Sequence, residues 1–178
     1  MKKLIIYFHG FNSSPKTDKF DRLKSAFPDD FVYAFPINID PDIAQIELEN
    51  DIDSCLIDHL NENINVVFVG TSLGAWWANK MGDLYDCPTI LINPCHDPKN
   101  SLGKYDINES ILNKFETMEY YPEKDYYFIA KYDEVIEHST FLHSSWPDVF
   151  IYDSPEVKHR FNGPEFDDVI DLIRTKFD

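Results

Sequence analysis

Val66-Val67-Phe68-Val69-Gly70-Thr71-Ser72-Leu73-Gly74-Ala75-Trp76-Trp77-Ala78 is the stretch on which the fold turns. Its first four residues form a continuous apolar run, the pattern of a strand buried on both faces. The small residues Gly74, Ala75 and Ala78 then open a helical run over Leu73 to Met81. At the junction, Gly70-Thr71-Ser72-Leu73-Gly74 fits G-x-S-x-G. A serine at the tip of a tight strand-to-helix turn has a strained backbone, and its neighbours two positions away must lack bulk. Such a turn aims the hydroxyl out of the sheet. It also sets the Leu73 N–H at a helix start, where the dipole favours a developing oxyanion. The plain alternative is a glycine-rich turn whose serine merely caps the helix.

Outward from this turn, short apolar runs alternate with helical patterns. Leu4–Phe8, Phe31–Phe35, Thr89–Ile92, Tyr126–Ala130 and Val149–Tyr152 read as further strands. Helices are expected around Phe20, Leu23 and Phe27, over Asp42 to Leu60, over Glu137–Ser144, and at the end through Phe166, Val169, Ile170, Ile173 and Phe177. In the long helix Ile43, Ile46, Ile52, Leu56 and Leu60 are expected to face the core, with an acidic outer face. This alternation predicts an α/β fold with a mostly parallel central sheet of about six strands and helices on both faces. The chain reads as one domain over residues 1–178. The polar segment 93–124, with Tyr105, Tyr120 and Tyr121, is too long for a plain connection and reads equally as a lid over a site or an ornate surface loop.

Composition narrows the function. Sixteen Lys and Arg against 32 Asp and Glu give a net charge of −16, which repels nucleic acid and anionic lipid surfaces. No apolar run approaches the length of a transmembrane helix, and Leu4–Phe8 is too short for a signal-peptide core, so a cytoplasmic protein without membrane insertion is expected. Cys55, Cys87 and Cys95 are odd in number and widely spaced, as in a reducing compartment, and no C-x-x-C pair suggests zinc. Acidic pairs such as Asp29-Asp30 and Asp167-Asp168 lack a metal-loop pattern. No cofactor or metal is expected, and the pattern specifies no oligomeric state.

A serine hydroxyl needs a base, and the base should come late in the chain, between the last strand and the last helix. Of the six histidines only His159 stands there; His9, His59, His96, His138 and His143 fall elsewhere. The acid should lie between serine and histidine. Asp133, three residues past a strand end, is the first choice, with Glu134, Asp97 and Asp153 as rivals. A second oxyanion donor is expected from the loop His9-Gly10-Phe11-Asn12-Ser13-Ser14-Pro15, at the Phe11 N–H beside Leu73, with Gly10 letting the chain turn sharply. Cys95-His96-Asp97 spells the members of a cysteine triad, but sequence neighbours do not normally adopt that geometry. Trp76-Trp77 could line an acyl pocket, with core packing the better default.

His9-Gly10-Phe11-Asn12-Ser13-Ser14-Pro15, Gly70 to Ala78, Asn93-Pro94, Asp133-Glu134-Val135 and His159-Arg160-Phe161 together resemble the YqiA/YcfP-like family of small bacterial α/β-hydrolase-fold esterases. The resemblance implies an α/β-hydrolase-like fold with a minimal cap or none. It also implies cleavage of small carboxylic esters or thioesters through an acyl-enzyme on Ser72. Ser72, Asp133 and His159 match the catalytic positions, and Phe11 and Leu73 the oxyanion positions. Ala75 and the stretch Pro155-Glu156-Val157-Lys158 depart from the family pattern. Two other classes stay open at this stage: a different reaction on the same triad, such as carbon–carbon or peptide hydrolysis, and a catalytically idle binding or regulatory module.

Overall fold

Val67, Phe68 and Val69 are fully buried in a strand with hydrogen-bonded neighbours on both sides, so helices must cover both faces. A computed structural model describes residues 1–177. Its strands are β1 (Lys2–Phe8), β2 (Phe31–Ala34), β3 (Ile64–Thr71), β4 (Thr89–Ile92), β5 (Asp125–Ala130) and β6 (Val149–Tyr152). They form one parallel sheet in the order β2-β1-β3-β4-β5-β6. Leu4, Ile6, Phe8, Phe68, Leu91 and Ile129 point to one core, and Ile5, Tyr7, Val67, Val69, Ile90 and Ile92 to the other. The alternation follows from the two-residue period of a strand.

The helices are α1 (Asp18–Ala26), α2 (Pro41–Asp58), α3 (Leu73–Leu84), α4 (Pro98–Leu102), α5 (Glu109–Leu112), α6 (Ser139–Leu142) and α7 (Glu165–Lys176). Residues of α1 and α7 join the second core, and those of α2, α3, α4, α5 and α6 the first. From β1 the chain runs outward to β2, then crosses back to β3 on the other side of β1. The loops leaving the carboxyl ends of β1 and β3 therefore diverge, which opens a crevice at this switch point. Phe11 lies on the first of these loops and Ser72 on the second.

One expectation fails in α2. Its buried stripe is Pro41, Ala44, Leu48, Ile52 and Cys55, while Ile43 and Ile46 are 45% and 63% exposed; the helix ends at Asp58, short of Leu60, which is 77% exposed. The helix carries apolar residues on more than one side. The side with Ala44, Leu48, Ile52 and Cys55 is the one that joins the first core. The segment 93–124 is not a bare loop. It contains α4 and α5 and contributes Leu102, Leu112, Phe115 and Met118 to the first core. The Trp76 indole N–H donates to the Glu116 carbonyl at 2.8 Å, tying this segment to α3. Trp76 and Trp77 are both buried there, in edge-to-face contact with centroids 4.8 Å apart.

The two motif glycines are needed for space. A Cβ at Gly70 would collide with the Gly74 carbonyl and the Ala75 Cα, and one at Gly74 with the Phe8 carbonyl oxygen of β1. The obstructing atoms are backbone and cannot rotate away. Gly74→Ala is expected to destabilise the fold at or beyond the upper end of the ~1–3 kcal/mol typical of overpacking. Urea denaturation would read this as a lowered midpoint, and an unchanged midpoint would show that α3 does not need to sit on β1.

Candidate active site

The turn between β3 and α3 holds Ser72 at φ 57° and ψ −121°, a conformation that L-residues rarely adopt. Such backbone costs of order 1–3 kcal/mol and persists only where its surroundings over-determine it. Here the Ser72 N–H donates to the Ile92 carbonyl at 2.9 Å, and the Ser72 carbonyl accepts from the Ala75 and Cys95 N–H groups at 3.0 Å each. The side chain makes no capping bond to α3, so the capping-serine alternative does not describe this turn. Instead the Ser72 Oγ lies 3.0 Å from His159 Nε2.

His159 sits between β6 and α7, and Asp133 lies three residues past the end of β5. The His159 Nδ1–H donates to Asp133 Oδ2 at 2.7 Å, which leaves Nε2 as the acceptor facing the serine. The other carboxylate oxygen, Oδ1, accepts from the Val135 and Ile136 N–H groups at 2.7 and 2.9 Å. Burial alone would raise the Asp133 pKa. The hydrogen bonds from His138 and His159 more than offset it and hold the carboxyl well below the usual carboxylate range. The rival acids serve elsewhere. Glu134 accepts the His159 backbone N–H at 3.2 Å, Asp97 caps α4 through the Asn100 N–H at 3.1 Å, and Asp153 pairs with Lys131 at 2.7 Å.

The bond from His138 was not foreseen. Its Nε2–H donates to the same Asp133 Oδ2, at 2.9 Å, and both side chains are buried. In the sequence this residue is only one of several competing histidines. The available signal was its place five residues after Asp133, which becomes meaningful only once the chain is known to turn between them. Asn93 is a second unforeseen contributor. It is fully buried at φ 44°, its Oδ1 accepts the Ala130 N–H at 2.7 Å, and its Nδ2 donates to the Lys158 and His159 carbonyls at 3.3 and 3.0 Å. It thereby ties the ends of β4 and β5 to the backbone of the His159 loop.

On the β1 side, Gly10 does not adopt positive φ; Asn12 does, at 53°. What Gly10 supplies is room, since a Cβ there would stand 3.3 Å from both Ser72 Cβ and the Thr71 carbonyl. Burial lowers the His9 pKa and keeps its imidazole neutral, and its Nδ1–H donates to the Gly10 carbonyl at 3.0 Å. That carbonyl and the Phe11 N–H belong to one planar peptide, so holding the first aims the second in the opposite direction. Neither the Phe11 N–H nor the Leu73 N–H has an acceptor among the described residues, and both residues line one recess with Ser72. In the Cys95-His96-Asp97 decoy, burial pushes the Cys95 thiol up to about 11, so it stays protonated and unreactive at neutral pH. Among the described residues, no cluster of three or more His, Cys, Asp or Glu side chains is placed to hold a metal ion, and no helix is long and apolar enough to cross a membrane.

Asn93→Ala would leave the buried Ala130 N–H without its acceptor, at a cost of about 1–3 kcal/mol. The expected result is a lowered urea midpoint together with weaker His159 order. An imidazole NMR signal unchanged in position and width would argue against the loop-holding role.

The fold agrees with that of known proteins. Solved structures of the α/β-hydrolase fold superpose on nearly the whole chain. Esterase PF2001 of Pyrococcus furiosus matches 97% of this chain and 81% of its own at a TM-score of 0.67 and 12% identity. Est1E of Butyrivibrio proteoclasticus matches 97% and 86% at 0.63 and 11% identity. Sequence relatives lie closer. The UPF0227 protein of Shewanella loihica is 31% identical over 106 residues, covering 58% of this chain and 57% of the relative. That of Vibrio campbellii is 28% identical over 145 residues, covering 76% and 79%. The chain spans only 57% to 64% of the length of the Shewanella relatives it matches. The description of the uncharacterised protein family UPF0227 matches residues 4–140, from the first strand through the Asp133 turn to His138 and beyond. With more than half its length matched, this α/β-hydrolase-fold chain belongs to the UPF0227 family, the YqiA/YcfP-like group that its sequence resembles.

Proposed function

We propose that the protein is a serine hydrolase that cleaves small carboxylic esters or thioesters with Ser72, His159 and Asp133. One observation carries this reading: an uncapped, strained serine within 3.0 Å of an imidazole whose far nitrogen is held at 2.7 Å by a buried carboxylate. The esterases among the structural neighbours support the same reading.

In the proposed reaction the Ser72 Oγ attacks the carbonyl carbon while His159 Nε2 takes its proton. The carbonyl π-electrons move onto oxygen, which the Phe11 and Leu73 N–H groups stabilise. On collapse, the bond to the alcohol or thiol breaks, His159 protonates the leaving group, and an acyl-enzyme remains. Water then loses a proton to His159, attacks the acyl carbon, and releases the acid and the serine. Asp133 stays ionised throughout and stabilises the imidazolium. Each protein group returns to its starting state, so the cycle uses no cofactor. The net charge of −16 fits a small-molecule substrate better than nucleic acid, and three free cysteines fit a cytoplasmic setting. In this reading the whole chain acts as one domain.

Ser72→Ala is expected to lower hydrolysis of 4-nitrophenyl butyrate by about 10⁴-fold or more. A fluorophosphonate should label Ser72 in the wild type, and unchanged turnover in the variant would refute the assignment. A second prediction concerns His138, as a positioning residue acting through Asp133. Its N–H draws on the oxygen that must stabilise the His159 imidazolium. His138→Leu removes that donor and favours the imidazolium, so the acid limb of kcat/KM should move up by about 0.5–1 pH unit. His138→Gln, which keeps an N–H donor, should restore the wild-type profile. The charged and titratable groups around this cluster are Asp133, Glu134, His159 and His96, with Asp97 and Glu137 acting on His96. Equal shifts in both variants would reduce His138 to a packing role.

A further inference from the structure

Two recesses meet at Ser72, and they differ in chemistry. One, of about 390 Å³, is mixed: Tyr7 and Phe11 share its lining with the polar and charged Asn12, Thr17, Lys19, Arg160 and Asn162. The other, of about 170 Å³, is largely apolar; Phe11, Leu73, Cys95, Leu102, Tyr105 and Ile136 line it. Phe11, Ser72 and His159 belong to both walls. An acyl chain loses contact with water most completely in the smaller, apolar recess. The larger recess, with its hydrogen-bonding and charged side chains, suits the group that departs.

We propose that the acyl part of the substrate occupies the apolar recess beneath Tyr105, that the recess admits acyl chains of up to about six carbons, and that Tyr105 sets this limit. The proposal rests on the reading of Ser72 as the nucleophile. The size follows from the volume: a protein cavity of about 150 Å³ accommodates benzene, with its six carbons. The roof comes from the segment 93–124. The Tyr105 ring packs against the Phe11 ring, with centroids 4.9 Å apart, so the two aromatics together close one side of the recess that both line. The neighbouring Lys104 Nζ donates to the carbonyl of Val135, itself a lining residue, at 3.4 Å, tying the roof segment to the opposite wall. Leu102 is buried at the base of this roof, and the Tyr105 N–H donates to its carbonyl at 2.9 Å. The Cys95 thiol, held neutral by burial, adds an apolar wall. Tyr105 is itself 41% exposed, so removing its ring opens the recess to solvent without excavating the core.

The test is a series of 4-nitrophenyl esters from acetyl to decanoyl, read as kcat/KM in the wild type and in Tyr105→Ala. Each methylene that finds apolar cover adds about fourfold. In the wild type kcat/KM should therefore climb to butyryl or hexanoyl and fall at least tenfold by decanoyl. In Tyr105→Ala the decanoyl-to-butyryl ratio should rise at least tenfold, because a long chain can run out through the opened roof. Decanoyl ester cleaved as well as butyryl by the wild type would overturn the size limit. A short-chain preference that Tyr105→Ala leaves unaltered would overturn the assignment of the recess and its roof. Fluorophosphonate labelling of Ser72 separates these failures from a failure of the catalytic reading. A labelled serine with the wrong chain-length profile sinks only the present proposal, whereas an unlabelled serine with no ester turnover sinks both.

Discussion

The site depends on a backbone contact with no side chain in it. At Gly74 the first turn of α3 presses against the Phe8 carbonyl of β1 and the His9 carbonyl just beyond it, and at Gly70 the end of β3 presses against the same turn. Only hydrogen atoms fit in these gaps. The close approach forces the chain from strand to helix within one residue, and that residue, Ser72, takes up the strain at φ 57°. Hydrogen bonds from β4 and from Cys95 hold it there. The reactive geometry is therefore a consequence of sheet packing: with these two glycines in place, the hydroxyl has nowhere to point but toward the loops at the carboxyl ends of the strands.

Asp133 plays a comparable part on the other side of the crevice. Two backbone N–H groups hold one oxygen and two imidazoles share the other. A carboxylate with four donors cannot rotate without breaking several bonds at once, so His159 inherits a fixed orientation. The shared oxygen also divides its negative charge between two partners. In the proposed reaction this moderates the hold on the imidazolium, which must give its proton back to the leaving group. A weaker base returns a proton more readily, and the presence of His138 tunes that balance from outside the reacting atoms.

The sequence carried the strands well, because short apolar runs mark both the fully buried β4 and the edge strand β6, which has no buried residue. β4 and β6 have the limits expected from their apolar runs, and β1, β3 and β5 differ by a few residues at their ends. It carried α2 poorly, because Ile43 and Ile46 are apolar yet exposed, and hydrophobicity alone cannot say which of two apolar sides meets a sheet. Local spacing made Ser72 conspicuous, and chain order singled out His159 among six histidines. The roles of Asn93 and His138 stayed hidden: Asn93, quoted only within the family resemblance, bonds to residues distant in sequence, and His138 meets Asp133 only because their shared connection folds back on itself. Gly10 was picked out for the wrong reason: its spare volume matters, and Asn12 makes the left-handed turn.

On the proposed reading, the segment 93–124 links stability to specificity. It reaches from the end of β4 to the start of β5, and on the way it inserts Leu102, Leu112, Phe115 and Met118 into the core that also receives Phe8, Phe68 and Trp77. The Met118 N–H bonds back to the His96 carbonyl at 2.7 Å, and Trp76 fastens Glu116. A connection anchored at so many points presents Leu102 and Tyr105 to the crevice as part of the folded body. A recess built this way is shaped before any ligand arrives, so little ordering entropy is left for binding to meet. The same anchoring means that residues near the recess cannot be varied independently of the core. Of its lining, Tyr105 is the aromatic residue of the segment that stands largely outside that core, and it is there that chain-length preference can change at the least cost to folding.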